Sequence, residues 1–202
     1  TLGYSDGEYY YTPDDWYSET FHNSFRQEYN LSISGSKDRL SYYGSVGYLD
    51  DGGIVNNSGY KRYTARINAD YQAKKWLKVS SNISYSHGDS QTASYSSTFG
   101  SSGNVFYITN MMAPIYPLYV RDADGNIMTE NGRTIYDANQ TNFARPAFTG
   151  NAVRDNEVDR KQNYSDVISG KWGVTATPVA GLSLSANVGL TNENERYNAL
   201  YS

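Results

Sequence analysis

Histidine and cysteine, two residue types that often carry out catalysis or bind metals, are scarce or absent in the chain. The sequence has two histidines, His22 and His87, and no cysteines. Neither histidine has neighbours in a pattern typical of a metal site or a catalytic base, and no serine lies in the glycine-flanked turn that exposes a hydrolase nucleophile. The absence of cysteine excludes a disulfide framework and a thiolate metal site. We therefore predict that the chain is not an enzyme.

One segment resembles the beginning of a calcium-binding loop. The residues DADGN at 122–126 place two carboxylates close together. An EF-hand loop that begins at Asp122 needs glycine at its sixth position and glutamate at its twelfth, but these positions are Ile127 and Arg133. We therefore predict an Asp-Gly turn and no cofactor, although a looser calcium site formed with other loops stays open.

A stretch of ten residues carries its charges on one side only. In RYTARINADY, residues 62–71, Arg62, Arg66 and Asp70 alternate with apolar residues such as Tyr63 and Ile67. Side chains alternate between the two faces of a β-strand, so the charged and apolar groups lie on opposite faces. In a soluble sandwich the apolar face forms a core, whereas in a membrane barrel it faces lipid and the charged face looks into a wet interior.

The same period of two recurs along the chain and predicts the elements that position these residues. Six strands are predicted at about residues 25–34, 39–49, 62–71, 77–86, 166–177 and 182–190. Short turns are predicted at 35–38, 73–76 and 178–181, and longer connections at 50–59 and about 87–162. Before the strands, DDWYSETFHNSF at 14–25 predicts a short helix whose N-cap is Asp14 or Asp15.

The alternation of short and long connections favours a membrane barrel. Transmembrane barrels have short periplasmic turns and long external loops, and their strands need only about 9–11 residues to cross the bilayer. The 21 tyrosines also suit a membrane interface. The predicted fold class is all-β: an antiparallel transmembrane β-barrel segment with a short N-terminal helix and one long extracellular loop.

The number of strands indicates that the barrel is incomplete. Natural single-chain barrels have about 8 strands or more, so six predicted strands are expected to be part of a longer protein. The net charge of -4 gives no nucleic-acid signature. Two functions of other classes stay open, a surface β-sandwich that binds glycans through its tyrosines and a passive porin.

Several segments of the sequence are recognisable: DWYSETF, FRQEYNLSISG and the run SYYGSVGYLDDGGIVNNSGYKRYTARINADYQAKKWLKVSSNISYSH, together with NMMAPIYPLYVRDADGN and TPVAGLSLSANVGL. With these segments the chain resembles the early barrel of the SusC/RagA family of TonB-dependent outer-membrane transporters of the Bacteroidetes. The resemblance covers about residues 14–192.

The resemblance implies a barrel of about 22 strands with a plug in its lumen. It also implies a SusD-like surface lipoprotein as partner, energy from TonB, contact with outer-membrane lipid, and import of oligosaccharides or peptides. Residues 1–24 are then a linker with a short helix that leads into the barrel, and residues 25–202 are part of the barrel itself. The plug and the TonB box are expected to lie N-terminal to residue 1.

Two sets of residues are candidates for functional contacts. Tyr107, Tyr116 and Tyr119 lie in the predicted long loop, where aromatic rings could stack on a sugar or contact the lipoprotein partner. The alternative is that these rings only pack the loop. The second set is predicted to face the lumen, where it would touch the plug, the substrate or its own members across strands: Arg62, Arg66, Asp70, Lys78 and Asn82.

Overall fold

The architecture comes from a computed structural model, which describes residues 3–93, 104–137 and 151–200. Its elements follow the chain in the order β1 (Tyr4–Ser5), β2 (Tyr10–Tyr11), α1 (Trp16–Thr20), β3 (Arg26–Lys37), β4 (Leu40–Gly52), β5 (Gly59–Lys74), β6 (Leu77–Thr92), α2 (Val105–Met111), β7 (Thr129–Glu130), β8 (Arg133–Thr134), α3 (Ala152–Val158), β9 (Arg160–Val179) and β10 (Leu182–Leu200). Six of the strands form one antiparallel sheet in the order β10-β9-β6-β5-β4-β3. The predicted β fold is confirmed, and the sheet is open at β3 and β10.

Tight turns explain why neighbouring strands pair along their whole length. Asp38 and Gly181, at the tips of the β3–β4 and β9–β10 hairpins, have positive φ angles of 54° and 84°. Glycine adopts a positive φ at no steric cost and aspartate tolerates it, so both residues suit a tight turn. The pairing of Lys37 with Leu40 and of Val179 with Leu182 shows that both ladders continue up to the turn.

The register gives the sheet two different faces. Directly opposed residues of antiparallel strands lie on the same face, so the pairings can be followed across all six strands. The apolar face includes the row Ile33, Gly44, Ile67, Ile83, Gly170 and Leu190. The polar face includes the row Ser32, Ser45, Arg66, Ser84, Ser169 and Thr191.

The strands extend further toward the loop end than the apolar alternation predicted. β6 continues to Thr92 and β9 begins at Arg160, so that the connection between them is 93–159 instead of 87–162. The residues at 192–200, for which no strand was predicted, belong to β10. In these outer parts both faces of the sheet are polar, and the ladder is maintained by backbone pairing and by bonds such as Gln162 Nε2 to the Asp89 carboxylate. A pattern of apolar residues cannot detect strands of this kind.

A second, smaller body lies at the loop end of the sheet. Its buried apolar residues form a cluster that we call the loop core, made of Trp16, Val55, Ala93, Val105, Ile108, Met112, Leu118, Ala152 and Val153. These residues come from the N-terminal segment, the β4–β5 connection and the β6–β9 connection. None of the helices in the described ranges is long and apolar enough to span a membrane.

The three short helices of this body begin at polar caps. Asp15 accepts hydrogen bonds from the backbone of Tyr17 and Ser18, which confirms the predicted N-cap. The Ser18 hydroxyl, together with these backbone bonds, holds the pKa of the Asp15 carboxyl below its ordinary value. Asn104 and Asn151 cap α2 and α3 in the same way. α1 ends at Thr20, earlier than predicted, because Phe21 pairs as a strand residue with Val55.

Candidate functional site

The polar face of the sheet brings the predicted lumen-facing residues together. In the register, Arg66 lies opposite Ser84, Asp70 opposite Ser80, and Asn82 opposite Asn68. Arg62 lies on the same face as Arg66, and Lys78 on the same face as Asn82, because the members of each pair lie an even number of positions apart along one strand. All five residues therefore share one face, as the period of two requires. Whether that face contacts a plug or a substrate stays a prediction.

Two of these charges neutralise each other across neighbouring strands. The ammonium group of Lys78 lies 3.3 Å from the Asp70 carboxylate, and about half of each side chain is exposed. An exposed ion pair of this kind contributes little to stability, below about 1 kcal/mol. Arg62 lies in the same row as Glu28 and interacts with it electrostatically from two strands away.

Arg66 is different, because it projects from a surface of small side chains. All the remaining positions of its row are occupied by serine or threonine. Within the described ranges, no carboxylate lies at ion-pair distance from the Arg66 guanidinium. Its charge is therefore directed toward whatever occupies the space in front of the polar face.

A second cation of this face was missed by sequence reasoning. Lys171 lies opposite Asn82, which in turn lies opposite Asn68. The structure also leaves the buried Oδ1 atom of Asn68 without a hydrogen-bond partner. The signal for Lys171 was present in the sequence, since it alternates with Trp172 along a predicted strand. The middle of the polar face thus offers two cations and an unsatisfied amide oxygen.

The apolar face of the sheet is exposed instead of buried. Ile67, Leu31 and Val188 have 64%, 72% and 66% of their surfaces accessible, and no described part of the chain covers them. Water would make such a large apolar surface unfavourable. An exposed apolar face of this kind is what the predicted lipid-facing surface of a transmembrane barrel segment requires.

Toward the loop end, the apolar face changes into a belt of aromatic and polar residues. The rings of Tyr48, Tyr63, His87 and Tyr164 lie in series, with centroids 5.0, 6.2 and 6.4 Å apart. Tyrosines at this position are typical of the aromatic girdle at a membrane interface. The histidine of the belt was not predicted to be part of any site, because its neighbours come from other strands.

The three predicted loop tyrosines pack against the loop core. Tyr107, Tyr116 and Tyr119 are all half-buried there. The Tyr119 hydroxyl donates a hydrogen bond to Glu19 Oε2 at 2.7 Å, and its ring lies 5.3 Å from that of Tyr136. Burial and the neighbouring Glu19 carboxylate raise the pKa of Tyr119 above its ordinary value. These contacts are those of a packing role, and contact with a substrate or partner stays a prediction.

A buried ion pair ties the N-terminal segment to the loop core. Both amino nitrogens of Arg121 bond the Asp14 carboxylate, at 2.6 and 3.0 Å, and each side chain is only 10% exposed. The same carboxylate accepts a hydrogen bond from the backbone of Leu118. Sequence reasoning considered Asp14 as a helix cap only, since its partner lies more than a hundred residues away.

The predicted turn at 122–126 is present. The Asp122 carboxylate accepts hydrogen bonds from the Asn126 side-chain amide and from the backbone of Asn126 and Asp124, which hold its pKa below its ordinary value. Gly125 has a φ of 89°, as such a turn requires. Within the described ranges, no cluster of three or more histidine or acidic side chains has the arrangement of a metal site.

The sequence of the chain is similar to parts of known TonB-dependent receptors, although no family model matches it. The chain is 26% identical over 174 residues to the TonB-dependent receptor P39 of Formosa agariphila, which covers 86% of the chain and 14% of that protein. It is 32% identical over 87 residues to the TonB-dependent receptor SusC of Bacteroides thetaiotaomicron, which covers 43% of the chain and 9% of that protein.

Solved structures of the RagAB peptide importer have the same fold as the chain. The "closed-closed" state of that importer matches 93% of the chain and 20% of the solved chain, with a TM-score of 0.66 and 24% identity. Its "open-open" state matches 93% and 19%, with a TM-score of 0.69 and 22% identity. The chain thus spans about one seventh or less of the curated relatives described above. In its fold, in the two faces of its sheet and in its sequence, the chain is thus similar to a segment of SusC/RagA-type TonB-dependent transporters.

Proposed function

We propose that the protein to which this segment belongs imports oligosaccharides or peptides across the outer membrane with energy supplied through TonB. The segment contributes six strands of the barrel wall and a folded external loop. The observation that carries the proposal is the contrast between the two faces of the sheet, one apolar and uncovered and the other polar and charged. A sheet that separates lipid from a wet interior requires both faces.

The relatives support the parts of the proposal that lie outside the segment. The curated relatives are named as TonB-dependent receptors, and the solved relatives are described as a peptide importer. We propose by analogy that a SusD-like surface lipoprotein covers the loop end and that the TonB complex acts through a region outside the segment. These relatives are named as receptors and as an importer, and that the chain is not an enzyme stays a prediction.

The polar face is proposed to line the interior of the barrel. Arg62, Arg66, Asp70, Lys78 and Asn82 then face the plug or the substrate. Asp70 and Lys78 compensate each other, and Arg62 interacts electrostatically with Glu28. Among the described residues in the middle of the face, this leaves the cations Arg66 and Lys171. Two uncompensated cations in the middle of a wet wall favour a carboxylate in front of them, whether it belongs to the plug or to a peptide.

The loop core is proposed to form part of the external mouth. Residues 1–24 lead into the barrel, and their contacts with the β6–β9 connection fold both segments into one body. The rings of Tyr107, Tyr116 and Tyr119 are available to a substrate or partner only through the parts that stay exposed.

Uptake by the full-length protein tests the proposal. Cells that carry or lack the gene are given a labelled peptide and a labelled oligosaccharide, each with TonB present and absent. We expect uptake of at least one of them to require both the gene and TonB. Uptake that persists without TonB would indicate a passive porin, and recovery of the full-length protein in the soluble fraction would indicate a glycan-binding sandwich.

A further inference from the structure

The apolar face ends at a different row on each side of the sheet. On β3, β4 and β5 the boundary toward the loop end is formed by Tyr29, Tyr48 and Tyr63, which share one row. On β6 and β9 the same row holds His87 and Asp166. The boundary there lies at the next lower row of the same face, at Tyr85 and Ile168. On β10 it lies lower again, at Leu190. A sloping boundary is expected when strands are tilted in the bilayer.

The slope fixes the depth of the residues just beyond the boundary. His87 lies two residues beyond Tyr85, and Asp166 two residues beyond Ile168. At about 3.3 Å per residue and a tilt of ~45°, these side chains are about 5 Å above the hydrocarbon. The layer of lipid headgroups is roughly 5–8 Å thick on each side of a bilayer. The two side chains therefore lie at the level of the headgroups and on the lipid-facing side.

A groove opens on the sheet at this level and continues above it. It is lined by His87, Tyr164, Asp166, Asn194 and Arg196, from three neighbouring strands. The Asp166 carboxylate is already engaged, because the Tyr85 hydroxyl and the His87 Nδ1 atom lie 2.6 and 2.7 Å from its Oδ1 atom. This pair holds the imidazole ring in place on one side of the groove.

Arg196 supplies the charge of the groove. Its guanidinium interacts electrostatically with Asp166, yet no described carboxylate lies at ion-pair distance from it. The other cation of the belt, Lys61, is already paired with Asp50 at 3.4 Å. Arg196 starts three rows above the last apolar residue of β10, and its long side chain can reach down to the headgroups while its stem stays on the sheet.

We propose that this groove binds the phosphate group of a membrane lipid. A guanidinium matches the geometry of a phosphate and forms two parallel hydrogen bonds to it. The Asn194 amide and the Tyr164 hydroxyl add neutral donors around the same space. The occupant is a lipid instead of a free anion, because the groove continues directly into the lipid-facing surface. The proposal depends on the lipid-facing sheet and not on import activity.

Lipid binding by the purified full-length protein tests this site. The probes are phosphatidic acid, diacylglycerol with the same acyl chains, and inorganic phosphate, with bound lipid counted by native mass spectrometry. In Arg196→Gln we expect about tenfold weaker binding of phosphatidic acid, equivalent to about 1.4 kcal/mol, and unchanged binding of diacylglycerol. Lys61→Gln is the matched control, since it removes a cation of the same belt that already has a partner, and it should bind both lipids normally.

Three results would overturn the proposal. The first is equal binding of phosphatidic acid by Arg196→Gln and the unaltered protein. The second is complete competition by inorganic phosphate, which would make the groove a site for free anions. The third is a loss of thermal stability in Arg196→Gln that is equally large in phosphatidic acid and in diacylglycerol. Such a loss would show that Arg196 pairs with a strand beyond β10.

Discussion

The sheet and the loop core use their apolar residues in opposite ways. In the sheet, Ile67 and Leu31 point away from all described parts of the chain and are mostly exposed. In the loop core, Ile108 and Leu118 are completely buried among residues of the same chain. We therefore propose that lipid covers the apolar face of the sheet, whereas the chain itself covers the apolar residues of the loop core. One segment thus contains apolar residues that are exposed on a sheet and apolar residues that are buried in a core. Substitutions can test the two groups separately.

The largest effect is expected from a cavity in the loop core. Leu118→Ala removes a side chain with no exposed surface, and such a change costs about 2–5 kcal/mol. We expect faster amide exchange in the loop core and unchanged exchange in β5 of the full-length protein. Ile115→Ala is the control, because Ile115 lies nearby and is 59% exposed. Equal exchange in the two variants would contradict a self-contained core.

A charge on the lipid face should have a comparable but separate effect. Ile67→Arg places a cation in the middle of the apolar face, at a cost of about 2–4 kcal/mol near mid-bilayer. The measurement is the folded fraction after insertion into lipid vesicles. The matched control is Thr64→Arg on the polar face of the same strand, which should insert normally. If both variants insert equally well, the assignment of the faces is wrong.

A smaller effect is expected at the hydrogen bond between Tyr119 and Glu19. Tyr119→Phe keeps the ring and removes the bond, so that the loop core should lose about 0.5–1.5 kcal/mol. The raised pKa also predicts a pH dependence. Above about pH 10 the tyrosine ionises in the unfolded chain but not in the folded one, and stability falls. Exchange rates as a function of pH should show a weaker fall in Tyr119→Phe than in the unaltered protein.

The smallest effect is expected on the polar face. Asp70→Asn removes one partner of an exposed ion pair with Lys78, which should cost less than about 1 kcal/mol. Thermal unfolding of the full-length protein in detergent measures this change. A loss of several kcal/mol would mean that Asp70 has a further partner in the barrel interior, and it would sharpen the assignment of that face.

The contrast between the sheet and the loop core also explains which features could be predicted from the sequence. The faces of the sheet follow from a period of two, so Arg66 and Ile67 could be placed on opposite sides without any knowledge of tertiary structure. The N-cap at Asp15 was also predictable, because a cap and its helix are adjacent in sequence. Local rules of this kind cover most of the wall.

The loop core could not be predicted, because local sequence rules do not determine its contacts. Its contacts join distant parts of the chain, such as the hydrogen bond from Trp16 Nε1 to the backbone oxygen of Tyr116. Its helices have five to seven residues, too few to show a helical period. The groove around Arg196 was missed because its members come from three strands that no sequence window contains together. Predicting either feature requires the register of the sheet.

The return of the chain to the sheet after the loop has a further consequence. β6 and β9 are direct neighbours, and Thr92 lies opposite Lys161 although residues 93–159 separate the two strands. The long connection thus leaves the wall and comes back at the adjacent position, as a closed insertion. Insertions at such points are tolerated because the backbone pairing on either side is not altered. We therefore expect that the long connection can be exchanged while the sheet stays the same, if the segments around Trp16 and Val55 that pack against it are exchanged with it.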